Sequence, residues 1–156
     1  MNVSVKGCLS LCVGPATGWR PVQGFPLRTY YYVDKKMNWN DAQQYCREKY
    51  TDLATFESMD DINSIKPNFS YSWAWIGLYD DPKSWKTTMG NDTNSWRWAT
   101  TNKTSTYYNW DSTSPDNLYG RESCVVMGTG GRWFDRNCDS SKSYDGICSF
   151  VQEGTG

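Results

Sequence analysis

The sequence predicts a single domain that combines helices with strands and is stabilised by disulfides. Its 156 residues suit one hydrophobic core. Two segments in the first half carry apolar residues at helical spacing, and from Tyr71 onwards short alternating runs predict strands joined by long loops. Six cysteines, with no CxxC pair among them, favour disulfides over a metal or redox motif. The chain is therefore expected in an oxidising compartment.

Composition narrows the classes of function. Lys and Arg number 16 against 17 for Asp and Glu, which argues against a nucleic-acid partner. The sequence has no apolar stretch of about 18 residues that would predict a membrane span. The absence of His excludes Ser-His and Cys-His nucleophile pairs and imidazole zinc sites. With 9 Trp, 11 Tyr and 5 Phe, the composition favours recognition, and we expect no enzyme activity.

The first eighteen residues have two interpretations. They could be a signal peptide remnant, because Lys6 is followed by a short apolar stretch and then small residues. They could instead be an N-terminal extension in strand form, because apolar residues alternate from Val3 to Val13. Cys8 and Cys12 are then either removed with a leader or paired separately. The main domain is predicted over residues 19–156.

Helix signals follow an aromatic strand at Tyr30 to Val33. Asn38 is a candidate N-cap with Asp41 three residues on, and the predicted apolar face comprises Ala42, Tyr45, Cys46, Tyr50 and Leu53. A second short helix is predicted to start at Ser58 and to stop before Pro67, with Ile62 and Ile65 buried.

Strands and two long loops are predicted in the rest of the chain. The strand runs are Trp73 to Leu78, Trp96 to Trp98 and Cys124 to Met127. The stretches Asp80 to Asn94 and Thr100 to Arg121 are too long for simple turns, and loops of such length are usually functional. Their Tyr107, Tyr108 and Tyr119 are candidates for exposed rings that stack on a ligand, whereas Trp75, Trp98, Trp110 and Trp133 are expected to pack in the core.

Glycosylation signals agree with a secretory route. Asn-x-Ser/Thr sequons occur at Asn2, Asn68, Asn91 and Asn102. We expect glycans on Asn91 and Asn102, which lie in polar loop sequence, and consider Asn68 a further candidate. The protein is therefore expected to be secreted or extracellular.

Taken together, several motifs resemble the C-type lectin-like domain, in particular single-domain secreted lectins and mannose-receptor-like domains. The resemblance runs from about Tyr30 to Phe150. It rests on the run Asn38 to Cys46, Trp75-Ile76-Gly77-Leu78, Trp96-Arg97-Trp98, Asn109-Trp110, Ser114-Pro115-Asp116-Asn117, Glu122-Ser123-Cys124, Trp133-Phe134-Asp135, Cys138 and Cys148.

The resemblance implies an α+β fold in which two helices flank small antiparallel sheets and a long loop region carries the ligand site. It also implies the disulfides Cys46–Cys148 and Cys124–Cys138. In the chain-entropy model such bridges contribute roughly 4.7 and 3 kcal/mol, respectively.

The resemblance further implies a calcium ion that also binds two vicinal sugar hydroxyls. Asp116, Glu122 and Asp135 keep the oxygen ligands expected of such a site. Ser114 stands where Gln or Glu is expected, and Phe134 stands where Asn is expected. The first motif thus reads SPD where the family has QPD or EPN. The second reads WFD where the family has WND. In a second calcium site of the family, Asp80 matches one ligand, but Ser84 and Ser123 replace carboxylates.

Two functions are therefore weighed. The first is an extracellular carbohydrate-binding domain with an incomplete calcium site, in which Ca²⁺ binding is weak or absent and any sugar is galactose-type. Its predicted ligand-binding residues are Ser114, Asp116, Asn117, Tyr119, Glu122 and Asp135, with Asp116, Glu122 and Asp135 on the metal. The alternative is a calcium-independent module that binds a protein ligand through the same loops.

Overall fold

The computed structural model describes residues 27–65, 72–81, 95–140 and 144–152. The predictions for Asn2, Cys8, Cys12, Asn68, Ser84 and Asn91 lie outside these residues. The described elements, in chain order, are β1 (Arg28–Met37), α1 (Trp39–Lys49), β2 (Asp52–Leu53), α2 (Met59–Ile65), β3 (Trp73–Asp80), β4 (Trp96–Trp98), β5 (Lys103–Thr104), β6 (Cys124–Gly128), β7 (Trp133–Arg136) and β8 (Tyr144–Val151).

The strands form one branched sheet centred on β3. The main path runs β1-β8-β3-β4-β5, while β2 pairs with β8, and β6 joins β3 to β7. All pairings are antiparallel except the short parallel one between β3 and β8, in which Trp75 faces Gly146. The antiparallel β1–β8 pair brings the two ends of the described chain together, with Arg28 opposite Val151.

Both predicted helices are present. The Asn38 side chain accepts a hydrogen bond from the Asp41 N–H at 2.7 Å, which confirms the N-cap. Helix α1 ends at Lys49, so the prediction that Leu53 continues its apolar face was wrong: Leu53 lies in β2, opposite Cys148. Leu53 is buried as a strand residue, in the part of the core that α1 also covers.

Alternation along the strands divides the core into two parts. One face of the sheet carries Ile76, Val125 and Trp133 and packs with α2 residues such as Ile62. The other carries Trp75 and Val126 and packs with α1. Trp75, Trp98 and Trp133 are buried as predicted, whereas Trp110 is only partly buried.

The two disulfides implied by the resemblance are present. Cys46–Cys148 joins α1 to β8, and Cys124–Cys138 joins the start of β6 to the residues that follow β7. The first closes a long segment and the second a short one, with sequence separations of 102 and 14. No helix in the described ranges is long and apolar enough to cross a membrane.

Candidate functional site

Three carboxyl groups meet where the loop before β6 approaches β7. Asp116 is exposed, Glu122 is half-buried and Asp135 is buried, and one oxygen of each lies within 4.8 Å of the other two. The pairing of β6 with β7 brings them together. Cys124 lies opposite Arg136, and Glu122, two residues before Cys124, comes close to Asp135, one residue before Arg136. The three predicted metal ligands therefore form one cluster, which we call the acidic cluster.

Asp135 is the anchor of the acidic cluster. It is 0% exposed, and its oxygens accept the N–H groups of Asp116 at 3.1 Å and Asn117 at 2.7 Å. These bonds tie the loop to β7. Each carboxylate oxygen has two lone pairs, so one backbone bond per oxygen leaves Asp135 able to accept further partners.

A tight turn places Glu122 against the other two acids. Asn117, Tyr119 and Gly120 all have positive φ values, of 46°, 57° and 67°. Across this turn the Glu122 N–H donates to Oδ1 of Asn117 at 3.0 Å, and the Leu118 N–H donates to Oε1 of Glu122 at 3.1 Å. Asn117 therefore shapes the loop with its side chain, in addition to binding Asp135 through its backbone.

The electrostatics of the acidic cluster are those of crowded acids. Burial, a hydrogen bond with Asp116 and the charges of its two neighbours raise the pKa of Glu122 to about 7. Burial also raises the pKa of Asp135, against the opposing effect of the two backbone N–H donors. Among the described residues, no Lys or Arg forms an ion pair with any of the three carboxylates.

This donor set suits calcium. Ca²⁺ prefers hard oxygen ligands and binds carboxylates in flexible geometries. Asp116, Glu122 and Asp135 would supply three carboxylates, and a divalent cation would offset their mutual repulsion. Three side chains are few for an ion that takes roughly 6–8 oxygens, so solvent or backbone oxygens would have to complete the coordination.

The two residues that depart from the calcium motif occupy different places. Ser114 is half-buried and precedes a cis peptide bond to Pro115, so it lies in the loop of the acidic cluster. Phe134 packs against Trp73 with ring centroids 4.7 Å apart, in the part of the core opposite Trp133. Adjacent side chains of a strand point to opposite faces, so the Phe134 ring faces away from Asp135.

A pocket of about 340 Å³ adjoins the acidic cluster. Leu118, Tyr119, Arg121, Glu122 and Asn137 line it. Tyr119 is 86% exposed and Leu118 is 51% exposed. No local sequence pattern points to Leu118, Arg121 or Asn137, since only the folded loop beside the end of β7 brings them to the same rim.

Tyr107 and Tyr108 are not the exposed rings that their polar surroundings suggested. Both are partly buried and pack against the core. The Tyr107 ring contacts Trp133 edge to face, and the Tyr108 hydroxyl donates to the Ser105 carbonyl oxygen at 3.0 Å. The second long loop also contains β5 and a 3₁₀ turn at Leu118–Gly120, and is therefore less irregular than expected.

Other candidate residues lie apart from the acidic cluster. Asp80 is buried in β3. The Ser123 hydroxyl lies 3.3 Å from Sγ of Cys138, and a hydroxyl does not replace the carboxylate expected at the second calcium position. Asn102 is exposed beside β5, and its Oδ1 accepts a hydrogen bond from the Tyr79 hydroxyl. Its side-chain nitrogen is the atom that a glycan would modify.

Comparison with known proteins agrees with this architecture. The Lectin C-type domain matches residues 35–150. Mouse L-selectin is 32% identical over 124 residues, covering 77% of this chain, which spans only 29% of that relative. The C-type lectin LmsL of Lachesis stenophrys is 32% identical over 143 residues, covering 85% of this chain and 96% of the relative.

A solved structure shows the same fold. The mouse scavenger receptor C-type lectin carbohydrate-recognition domain aligns with a TM-score of 0.67 and 27% identity, covering 87% of this chain and all of that one. The sequence match, the branched sheet with its two helices and the two disulfides agree. The chain belongs to the C-type lectin domain family.

Proposed function

We propose that this chain is an extracellular carbohydrate-recognition domain that binds Ca²⁺ weakly at Asp116, Glu122 and Asp135 and binds a galactose-type sugar through that ion. The observation that supports it most directly is the acidic cluster itself, with oxygens of all three acids within 4.8 Å of one another. Family membership favours a sugar ligand, and the two disulfides fit an extracellular setting.

The chemistry follows from what Ca²⁺ and a sugar share. Two vicinal hydroxyls can complete the coordination of the ion, and the carboxylates that hold the ion can accept hydrogen bonds from the same hydroxyls. The exposure of Asp116 at the cluster supports its assignment to both tasks. Ser114-Pro115-Asp116 resembles the galactose-type form of the motif, which favours that sugar class. Tyr119, at the adjoining pocket, offers a ring for the sugar's C–H face.

Calcium affinity is expected to be low. Ser114 is shorter than the Gln or Glu that the motif calls for, and Phe134 turns away from the acidic cluster. The dissociation constant should therefore lie near or above the weak end of extracellular calcium modules, on the order of 10⁻³ M.

Chelator-sensitive retention tests this function. The wild-type protein should be retarded on a galactose resin in about 10 mM CaCl₂, a concentration above the expected dissociation constant, and released by EDTA. Glu122→Gln should elute early in both conditions, whereas the matched exchange Glu48→Gln, on the exposed side of α1, should behave as wild type. Retention that survives both EDTA and Glu122→Gln would contradict the proposal.

A calcium-independent protein ligand is the second candidate. The exposed Leu118 and Tyr119 favour it, because adjacent exposed apolar side chains are typical of protein contact sites. In this case the loop would bind its partner equally well in calcium and in EDTA, and substitutions at Leu118 would weaken binding more than substitutions at Glu122.

Catalysis is a weaker reading of the same acids. The raised pKa of Glu122 is a property that a general acid needs. Asp135 is poorly suited as its partner, because it is buried and both of its oxygens bind the loop backbone. Turnover of model glycosides that is abolished by Glu122→Gln would revive an enzymatic role.

A further inference from the structure

A second groove lies on the other side of β7. It has a volume of about 350 Å³ and is lined by Ser72, Trp73, Asp111, Gly128, Thr129, Gly130, Arg132 and Phe134. Phe134 points into the part of the core opposite the acidic cluster, so the two sites share a strand but occupy different faces of the sheet. We call it the aromatic groove.

Two aromatic rings held at a right angle form its apolar wall. Trp73 and Phe134 are both half-buried, and their planes meet at 77°. The Arg136 guanidinium lies 5.5 Å from the centre of the Trp73 ring and 5.4 Å from that of Phe134, where it supports both rings by cation–π contact. The rings are therefore held in place before any ligand arrives.

The floor of the groove depends on a glycine. A Cβ atom at Gly128 would lie 3.2 Å from the Trp73 ring and 3.6 Å from the Phe134 ring. The bare backbone therefore lets both rings approach the β6–β7 turn, where Thr129 and Gly130 are exposed. A ligand in the groove would lie next to the backbone of this turn.

Polar groups of opposite charge stand beside the rings. Asp111 and Arg132 both line the groove. One Asp111 oxygen accepts the N–H and hydroxyl of Thr113 at 3.2 and 2.9 Å, which fixes the carboxylate, and these bonds lower its pKa so that it stays ionised. Arg132 donates to the Asn109 side chain at 3.2 Å. Asp111 thus offers a charged acceptor and Arg132 a charged donor.

We propose that the aromatic groove is a calcium-independent binding site for a gluco-configured pyranose unit of a glycan. Such a ring presents a flat C–H face to an aromatic ring, and its equatorial hydroxyls both donate and accept hydrogen bonds. A carboxylate can accept from two adjacent hydroxyls, and a guanidinium can donate to a third oxygen. The groove supplies all three partners, and its volume lies at the lower end for small-ligand sites.

This assignment gives Phe134 a function of its own. At a position where the calcium motif expects an asparagine, the chain carries the ring that completes the aromatic groove with Trp73. The residue that weakens one candidate sugar site would thus build another. The two sites differ in what they need, because only the acidic cluster depends on a cation.

An NMR titration with cellotriose in EDTA tests the proposal. Wild-type protein should bind with a dissociation constant on the order of 10⁻³ M. Backbone amide shifts should concentrate at Thr129, Gly130 and Arg132, with little change at Leu118 to Gly120. Phe134→Leu, which keeps apolar bulk but loses the ring, and Asp111→Asn, which keeps an oxygen acceptor but loses the charge, should each weaken binding about fivefold.

Control variants and sites separate this proposal from the function proposed for the acidic cluster. Phe150→Leu, at a ring 45% exposed on β8, and Glu122→Gln should leave cellotriose binding unchanged. Shifts at Leu118 to Gly120 instead of at the turn, or no shift at about 20 mM cellotriose, would overturn the aromatic groove. Equal weakening by Phe150→Leu would also overturn the aromatic groove. None of these results would affect the test of calcium-dependent retention on galactose, which concerns the acidic cluster.

Discussion

The two sides of β7 differ in how far neighbouring groups stabilise their side chains. On one side Asp135 is buried, binds two backbone N–H groups and meets two further carboxyl groups without an ion pair among the described residues. On the other, Phe134 and Trp73 pack against each other and against Arg136. The first side is an arrangement of like charges that a cation would stabilise, whereas the second is a pair of rings that neighbouring side chains already hold in place.

Two adjacent residues of one strand therefore belong to different sites. Because side chains alternate between the faces of the sheet, residue 134 packs against aromatic rings while residue 135 lies among carboxylates. Substitutions at 134 and 135 should therefore separate cleanly: one should alter packing and the groove, and the other should alter the loop and its response to calcium.

The largest expected effect comes from Asp135→Ala. It removes the acceptor for the N–H groups of Asp116 and Asn117, and we expect a loss of at least about 2 kcal/mol in the free energy of unfolding. Any stabilisation by CaCl₂ should vanish with it. Phe134→Ala should cost about 1–2 kcal/mol through lost packing yet keep the calcium response. Denaturant unfolding in CaCl₂ and in EDTA measures both, and a calcium response that persists in Asp135→Ala would contradict the assignment.

A gain of calcium affinity is expected from Ser114→Gln. The longer side chain brings an amide oxygen to the loop of the acidic cluster, and we expect the dissociation constant to fall about tenfold. Ser112→Gln makes the same chemical change at an exposed position two residues earlier and should leave the affinity unchanged. Calorimetric titration with CaCl₂ compares the two variants. Equal affinities would mean that residue 114 does not face the ion.

The pH dependence of stability should reveal Glu122 when calcium is removed. Its pKa rises from 4.5 to about 7 on folding, so between these values the folded state binds more protons than the unfolded state. The contribution of Glu122 to the unfolding free energy is therefore full below about pH 4.5 and is lost as the pH rises through about 7.

Glu122→Gln should remove this slope from the EDTA profile, and Glu48→Gln should not. Thermal unfolding from pH 5 to pH 8 provides the comparison. A wild-type profile that matches that of Glu122→Gln across this range would show that Glu122 titrates normally.

The smallest effect on stability is expected at Tyr119. Its side chain is 86% exposed, so Tyr119→Ser should change the unfolding free energy by less than about 0.5 kcal/mol. Sugar binding at the acidic cluster should still weaken several-fold if the ring stacks on the ligand. Cellotriose binding at the aromatic groove should not change, which sharpens the contrast between the two sides of β7.

Local signals predicted the helices well, because their causes lie within a few residues. The Asn38 cap depends on an N–H three residues away, and the second helix likewise has Ser58 and Asp61 at its start. The acidic cluster and the disulfide pairs followed from resemblance to a family, since no local pattern reports that Asp116 and Asp135 meet. The extent of α1 was overestimated because Leu53 packs in the part of the core that α1 covers, yet belongs to strand β2.

The aromatic residues were the hardest to place from sequence. Tyr107 and Tyr108 lie among polar residues, which suggested exposure, but Trp133 of a distant strand and the core cover them. Phe134 could be recognised as a departure from a motif, but its partner Trp73 lies on β3. Such contacts depend on sheet register over long separations, which alternation within one strand does not encode.

Thermal unfolding in calcium tests the central claim most directly. With a dissociation constant of about 1 mM, 10 mM CaCl₂ should stabilise the native state by about 1.4 kcal/mol and raise the Tm by about 3–6 °C over EDTA. Glu122→Gln should lose most of this shift. Equal Tm values for wild-type protein in CaCl₂ and in EDTA, at matched ionic strength, would contradict a calcium site at Asp116, Glu122 and Asp135.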